Sequence, residues 1–171
     1  MDDLSPPSLF LDAALVVAIL FSEDTAASPG FGLIKLGEAN LVRLDTSGDV
    51  LHEAQRVLQV LLQTDKETIK ILVAEILTLG NVAITSPPND ETVKQCLGIT
   101  NYLPDARILA AAIERDCEVF VTYDKKHLLK NPLIGPPNTR IVVMTGGEAK
   151  AWAIDQISVR SRLKAEQKRR N

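Results

Sequence analysis

A chain of 171 residues with 46% hydrophobic and 24% charged side chains has the length of one domain and the balance of a packed globular protein, which excludes a disordered or fibrous chain. A net charge of −3 excludes any argument for nucleic-acid binding from overall charge, so contact with a polyanion has to rest on local basic groups. Cys96 and Cys117 have neither zinc-knuckle spacing nor the density of a disulfide framework, and read as buried thiols in a reducing compartment.

The opening "MDDLSPP" is acidic and lacks the positive region of a secretory signal. The apolar stretch behind it is interrupted by Asp12 and is too short to span a bilayer. An untargeted, cytoplasmic protein with no membrane partner is therefore expected. From there short apolar runs alternate with longer segments of helical period, the pattern of an α/β fold with a parallel sheet covered by helices on both faces. Five strands are predicted, at residues 9–11, 41–44, 82–85, 119–122 and 140–144.

Between the second and third strands, "HEAQRVLQVLLQ" sets Ala54, Val57, Leu58, Leu61 and Leu62 on one stripe, and "TDKETIKILVAEIL" does the same with Ile69, Leu72, Val73, Ile76 and Leu77. Each predicts a helix with one buried face, the second started by a capping box of Thr64 and Glu67. "YLPDARILAAAIERD" predicts a helix opened by Pro104, with Asp105 in its first turn and Leu109, Ala112 and Ile113 facing inward. "SPPND" and "NPLIGPPN" read as proline-rich loops, and "MTGGEAKAW" as a tight turn. After residue 157, six basic residues face Glu166 alone, which predicts a domain over residues 1–157 and a basic tail over 158–171, a helix fraying into solvent.

Ligands of open parallel sheets bind beyond the carboxyl ends of the strands, at the switch point. Asp12 ends the first predicted strand and Asp124 follows the fourth. Helices between parallel strands begin at that same edge, which brings in Asp105 and Glu53, with Asp45 and Asp49 in the loop before Glu53. Singly, each has a structural alternative: an Asx-turn for Asp12 or Asp124, the helix dipole for Asp105, a solvated face for Glu53. Together they would repel unless a cation sat among them, and Mg²⁺ takes oxygen ligands of this kind together with substrate phosphates. Such a site suits phosphodiester cleavage.

The segments "LFLDAALVVAIL", "DVLHEAQRVL" and "PDARILAAAIERDCEVFVTYDKKHLL" together resemble the PIN-domain nucleases, a family that includes the VapC-type toxin ribonucleases of type II toxin-antitoxin modules. The resemblance covers most of the chain. It implies a three-layer α/β/α fold with a parallel sheet of about five strands, similar to the flap nucleases. It also implies Mg²⁺ or Mn²⁺ held by Asp12, Glu53, Asp105 and Asp124, with Thr122 as a hydrogen-bond partner of a ligand carboxylate. The implied activity is metal-dependent hydrolysis of RNA without a covalent intermediate. The implied partners are RNA, a cognate antitoxin and a second copy of the chain.

Two departures from the family pattern bear on that expectation. Asp12 is followed by Ala13 and Ala14, where the family usually carries a hydroxyl residue and an asparagine, so an RNA-binding or protein-interaction module without catalysis is the alternative. The turn "DTSGDVLHE" leaves open whether Glu53 or a neighbouring aspartate takes the second position. Arg107, Lys125 and Lys126 are candidate phosphate contacts beside the acids, with plain solvated charge as the alternative. His52 and His127 lack ligand spacing and are not offered as zinc ligands or general bases. A phosphoacceptor receiver domain, also doubly wound, would need a lysine just after the last strand, and "VVMTGG" has none before Lys150.

Overall fold

Four consecutive buried residues, Ser8–Leu11, form the first strand, β1, with Leu9 and Leu11 facing one side and Phe10 the other. The computed structural model describes residues 4–170. In it β1 is the middle strand of a parallel sheet, flanked by β2 (Arg43–Ser47) and β4 (Val119–Val121). With β3 (Ala83–Thr85) and β5 (Val142–Met144) outside them, the order is β3-β2-β1-β4-β5. The order in which strands are added reverses between β1 and β4, so the crevice that an open α/β sheet offers to ligands lies where Asp12 and Thr122 leave their strands.

Seven α-helices cover the sheet among the described residues: α1 (Ala13–Phe21), α2 (Pro29–Glu38), α3 (Gly48–Leu62), α4 (Lys66–Leu79), α5 (Asp90–Thr100), α6 (Leu103–Glu114) and α7 (Gly146–Arg170). On one face Phe10 and Phe120 stack with ring centroids 5.5 Å apart, and Leu58, Val73 and Leu109 pack into the same core. On the other, Leu9, Leu11, Val119 and Val121 meet Leu33 and Ile34 of α2 and Ala149 and Ala153 of α7. Alternation along β1 and β4 therefore builds two cores, and the three-layer α/β/α arrangement follows. Helix α1 serves both, giving Val16 to the first and Leu15 and Ile19 to the second. No described helix is long and apolar enough to cross a membrane.

Several local expectations change. The second strand is not residues 41–44: it begins at Arg43 and runs through Asp45, Thr46 and Ser47, all three buried. These polar residues are held in the sheet because each finds a partner. Thr46 donates to the Leu11 carbonyl at 2.9 Å, and Asp45 accepts from Arg43 Nε at 2.8 Å and Arg115 Nε at 2.9 Å. Asp45 is thus a strand residue on a buried ion pair, not a member of the acidic edge. Ser47 caps α3 by accepting from the Val50 N–H, so "DTSGDVLHE" is strand followed by helix and Glu53 sits in the second turn.

The cap of α4 is Asp65, whose carboxylate accepts from the N–H of Thr68 at 2.9 Å; Thr64 stands outside, and Glu67 pairs with Lys70. Gly146 and Gly147 do not turn the chain but open α7, where Thr145 and Glu148 form a reciprocal capping box. A Cβ at Gly146 would collide with the Tyr123 hydroxyl, which explains the glycine. Helix α7 continues past residue 157, and Arg160 is buried against the Ser5 carbonyl and the Glu118 carboxylate. Cys96 and Cys117 are free and buried.

Candidate metal centre

Asp12 stands at the junction of β1 and α1, the N-cap position of the helix, yet its side chain makes no cap hydrogen bond. Its carboxylate instead accepts from the Thr122 hydroxyl at 2.6 Å. The same hydroxyl accepts from the N–H of Asp124 at 2.9 Å, so a single buried threonine beyond β4 fixes the first acid and the backbone that carries the last. Asp105 arrives in the first turn of α6, behind Pro104, and Glu53 from the second turn of α3. Asp12, Glu53, Asp105 and Asp124 line one cavity of about 330 Å³, with Ala13, Ala14 and Leu128 among its apolar walls.

The electrostatics differ from acid to acid. Burial is the largest influence on Asp12 and pushes its pKa from 3.8 to about 6; the Thr122 hydroxyl and the Ala13 N–H work downward, and repulsion from Glu53 and Asp105 adds to the rise. Asp105 is also raised, by burial first and then by the Asp124 charge. Asp124 moves the other way. Burial alone would raise it, but the N–H groups of His127 and Lys126 and the His127 ring, 3.1 Å from Oδ2, together hold it below the ordinary carboxylate range.

The arrangement leaves negative charge without a fixed counter-charge. Among the described residues no lysine or arginine forms an ion pair with Asp12, Glu53 or Asp105. Among the described residues, one carboxylate oxygen of Asp105 is buried and has no hydrogen-bond partner, which burial makes costly. Ligand atoms of Asp105, Asp124 and His127 lie within 4.8 Å of one another. An orphaned buried oxygen among converging oxygen donors fits a hard divalent cation.

The sequence matches no family model and no curated protein. Among solved structures it is similar to VapC20 of Mycobacterium tuberculosis, a sarcin-ricin loop cleaving toxin, with a TM-score of 0.52 and 16% identity over 70% of this chain and 92% of that one. It is also similar to PAE2754 from Pyrobaculum aerophilum, with a TM-score of 0.56 and 16% identity over 87% of this chain and 90% of that one. The chain shares its fold with these two proteins. At this identity the likeness is one of architecture.

On this scaffold the remaining candidates separate. Lys125 and Lys126 are exposed beside Asp124. Arg107 is turned into a neighbouring cleft, where its Nε donates to Asp49 at 3.0 Å. His127 is not isolated: it binds Asp124 and joins the ligand-distance group, which its sequence spacing hid because its turn lies far along the chain from Asp105 on α6. Also unforeseen are His52 and Arg56, which share a face of α3 with Asp49 and Glu53. The signal for them was available, since 49, 52, 53 and 56 follow the i, i+3, i+4, i+7 spacing of one helical face.

Proposed function

We propose that this protein is a metal-dependent endoribonuclease that hydrolyses RNA phosphodiester bonds. The observation that carries the reading is the unpartnered, buried Asp105 oxygen inside a pocket of four carboxylates at the switch point of a VapC-like sheet. Asp12, Glu53, Asp105 and Asp124 would hold Mg²⁺ or Mn²⁺. When bound, the cation supplies Lewis-acid polarisation of the phosphoryl group and activation of the attacking water.

The chain's own part is positioning. Thr122 holds the Asp12 carboxylate in one orientation and, through the Asp124 N–H, fixes the start of the loop that carries Lys125 and Lys126. Exposed beside Asp124, those two lysines would receive backbone phosphates near the acids, and Arg107, paired with Asp49, would do so from the neighbouring cleft. The VapC20 likeness supports a toxin role, for which an antitoxin would be the protein partner, and a homodimer is proposed on the family resemblance alone.

The decisive experiment measures hydrolysis of single-stranded RNA with Mg²⁺ and with Mn²⁺. Wild type cleaves, while Asp12→Asn and Asp105→Asn proteins fall to background; equal residual cleavage in both variants points to a contaminating nuclease. A second reading, a binding module without catalysis, is favoured by Ala13 and Ala14, which line the cavity without offering any side-chain polar group. Calorimetry separates the two: RNA binding with no uptake of divalent cation at millimolar concentration selects the binding module.

A further inference from the structure

Beside the acid pocket, and sharing Glu53 and Asp105 with it, lies a second cleft of about 370 Å³ between α3 and the start of α6. That size falls at the lower end of the ~300–1,000 Å³ range of small-ligand sites, enough for one monomer unit of a polymer. Its walls differ from those of the acid pocket. Arg56 and His52 come from the outer part of the α3 face that also carries Glu53, and Tyr102 and Arg107 from the start of α6. Charge thus grades from acidic to basic across one helix face. Arg107 is already paired with Asp49, while Arg56 has no ion pair among the described residues.

Tyr102 has no structural task that accounts for its placement. It occupies the N-cap of α6, a position favouring Ser, Thr, Asp or Asn, and makes no side-chain cap bond. The residue is 54% exposed, as Phe21 is at 52% away from the site, while Phe10 and Phe120 are buried and Tyr123 and Trp152 partly so. It stands 6.3 Å from the His127 ring, at an interplanar angle of 30°, which puts an aromatic face on the rim between the cleft and the acids. An exposed aromatic beside an unpaired arginine is the recognition chemistry of an unpaired nucleotide: a base stacks on the ring and its phosphate meets the guanidinium.

We infer that the α3–α6 cleft seats the nucleotide of a single-stranded RNA adjacent to the scissile bond, its base on Tyr102 and its phosphate on Arg56. The identity of the polymer rests on the nuclease reading; the cleft's preference for an unpaired base does not. The test is binding of a short single-stranded RNA carrying 2-aminopurine to the full chain in EDTA, with fluorescence quenching as the stacking signal. Wild type and Tyr102→Phe quench and bind alike. Tyr102→Ala loses the quench and about tenfold or more in affinity, and Arg56→Ala keeps the quench while lowering the salt slope by about 0.7.

Quenching and affinity unchanged in Tyr102→Ala, or a duplex of the same sequence that quenches as well as the single strand, overturn the inference. Hydrolysis by wild type with Mn²⁺ is measured in parallel. Cleavage by wild type with full binding by Tyr102→Ala sinks the cleft and leaves the nuclease. Tyr102-dependent quenching without cleavage under Mg²⁺ or Mn²⁺ sinks the nuclease and supports the cleft.

Discussion

Asp45 on β2 and Asp12 just past the end of β1 are buried carboxylates separated by two register steps, about 7 Å along the sheet. Asp45 meets two guanidinium groups, Arg43 and Arg115, and the Cys117 thiol beside them. Asp12 meets a hydroxyl and, further off, two more carboxylates. The first is a closed ion pair that ties β2 to the end of α6. The second is an open negative site, which the fold tolerates rather than requires. The same residue type at a similar depth makes a closed site in one place and an open one in the other because of what faces it.

Removing each charge should therefore act with opposite sign. Asp45→Ala leaves two arginines without their buried partner; such losses cost about 3–5 kcal/mol, and because Arg43 and Arg115 are 41% and 43% exposed and can return to water, the lower end is expected. Asp12→Asn in EDTA should instead unfold at a higher denaturant midpoint than wild type at pH 7. Denaturant titrations of both variants check this, and two shifts of the same sign would break the contrast between closed and open sites.

A pH titration sharpens the contrast. The pKa of Asp12 rises from 3.8 unfolded to about 6 folded, so between these values the folded protein holds a proton that the unfolded chain has released. Metal-free stability must then fall as pH climbs from about 4 to about 6, by up to about 3 kcal/mol for a shift of this size. Asp124 is depressed, and its contribution has the opposite slope, present above 3.8 and lost as pH falls through its folded value. Chemical denaturation in EDTA across pH 4 to 7 reads the fall. It should shrink in Asp12→Asn to the share of Asp105, whose pKa is raised as well, and shrink with millimolar Mn²⁺, because an ion that binds only the folded site adds stability as the carboxylates ionise. A flat wild-type profile would show that Asp12 carries no buried charge to relieve.

The places of three acids were legible because topology defines them: the end of a strand for Asp12, the loop just beyond one for Asp124 and the first turn of a helix for Asp105. Asp12, Asp105 and Asp124 needed only the alternation of short apolar runs and helical stripes. Asp45 was misplaced because "RLDTS" lacks the apolar composition of a strand, and its burial is granted by Arg115, seventy residues later in sequence. Helix α1 has no stripe to read, since "AALVVAILF" is apolar on every side and serves two cores at once. His127 and Tyr102 escaped for a related reason. Each gains meaning from a partner on another element, and spacing along one segment does not show it.

Thr122 offers the smallest and most discriminating effect. Its hydroxyl donates to Asp12 and accepts from the Asp124 N–H, so Thr122→Val removes one charge-assisted bond and leaves a backbone donor unmatched. The stability cost is about 1 kcal/mol, close to that of an ordinary hydrogen bond, because metal-free Asp12 recovers part of it by staying protonated. The titration reports what the energy conceals. Thr122 is the strongest influence lowering the Asp12 pKa, so its loss should extend the pH-dependent fall to a higher pH, and Thr122→Ser, which keeps the hydroxyl, should restore it. A Thr122→Val profile ending at the wild-type pH would mean that the threonine serves Asp124 alone, and that burial and neighbouring acids account for Asp12 without it.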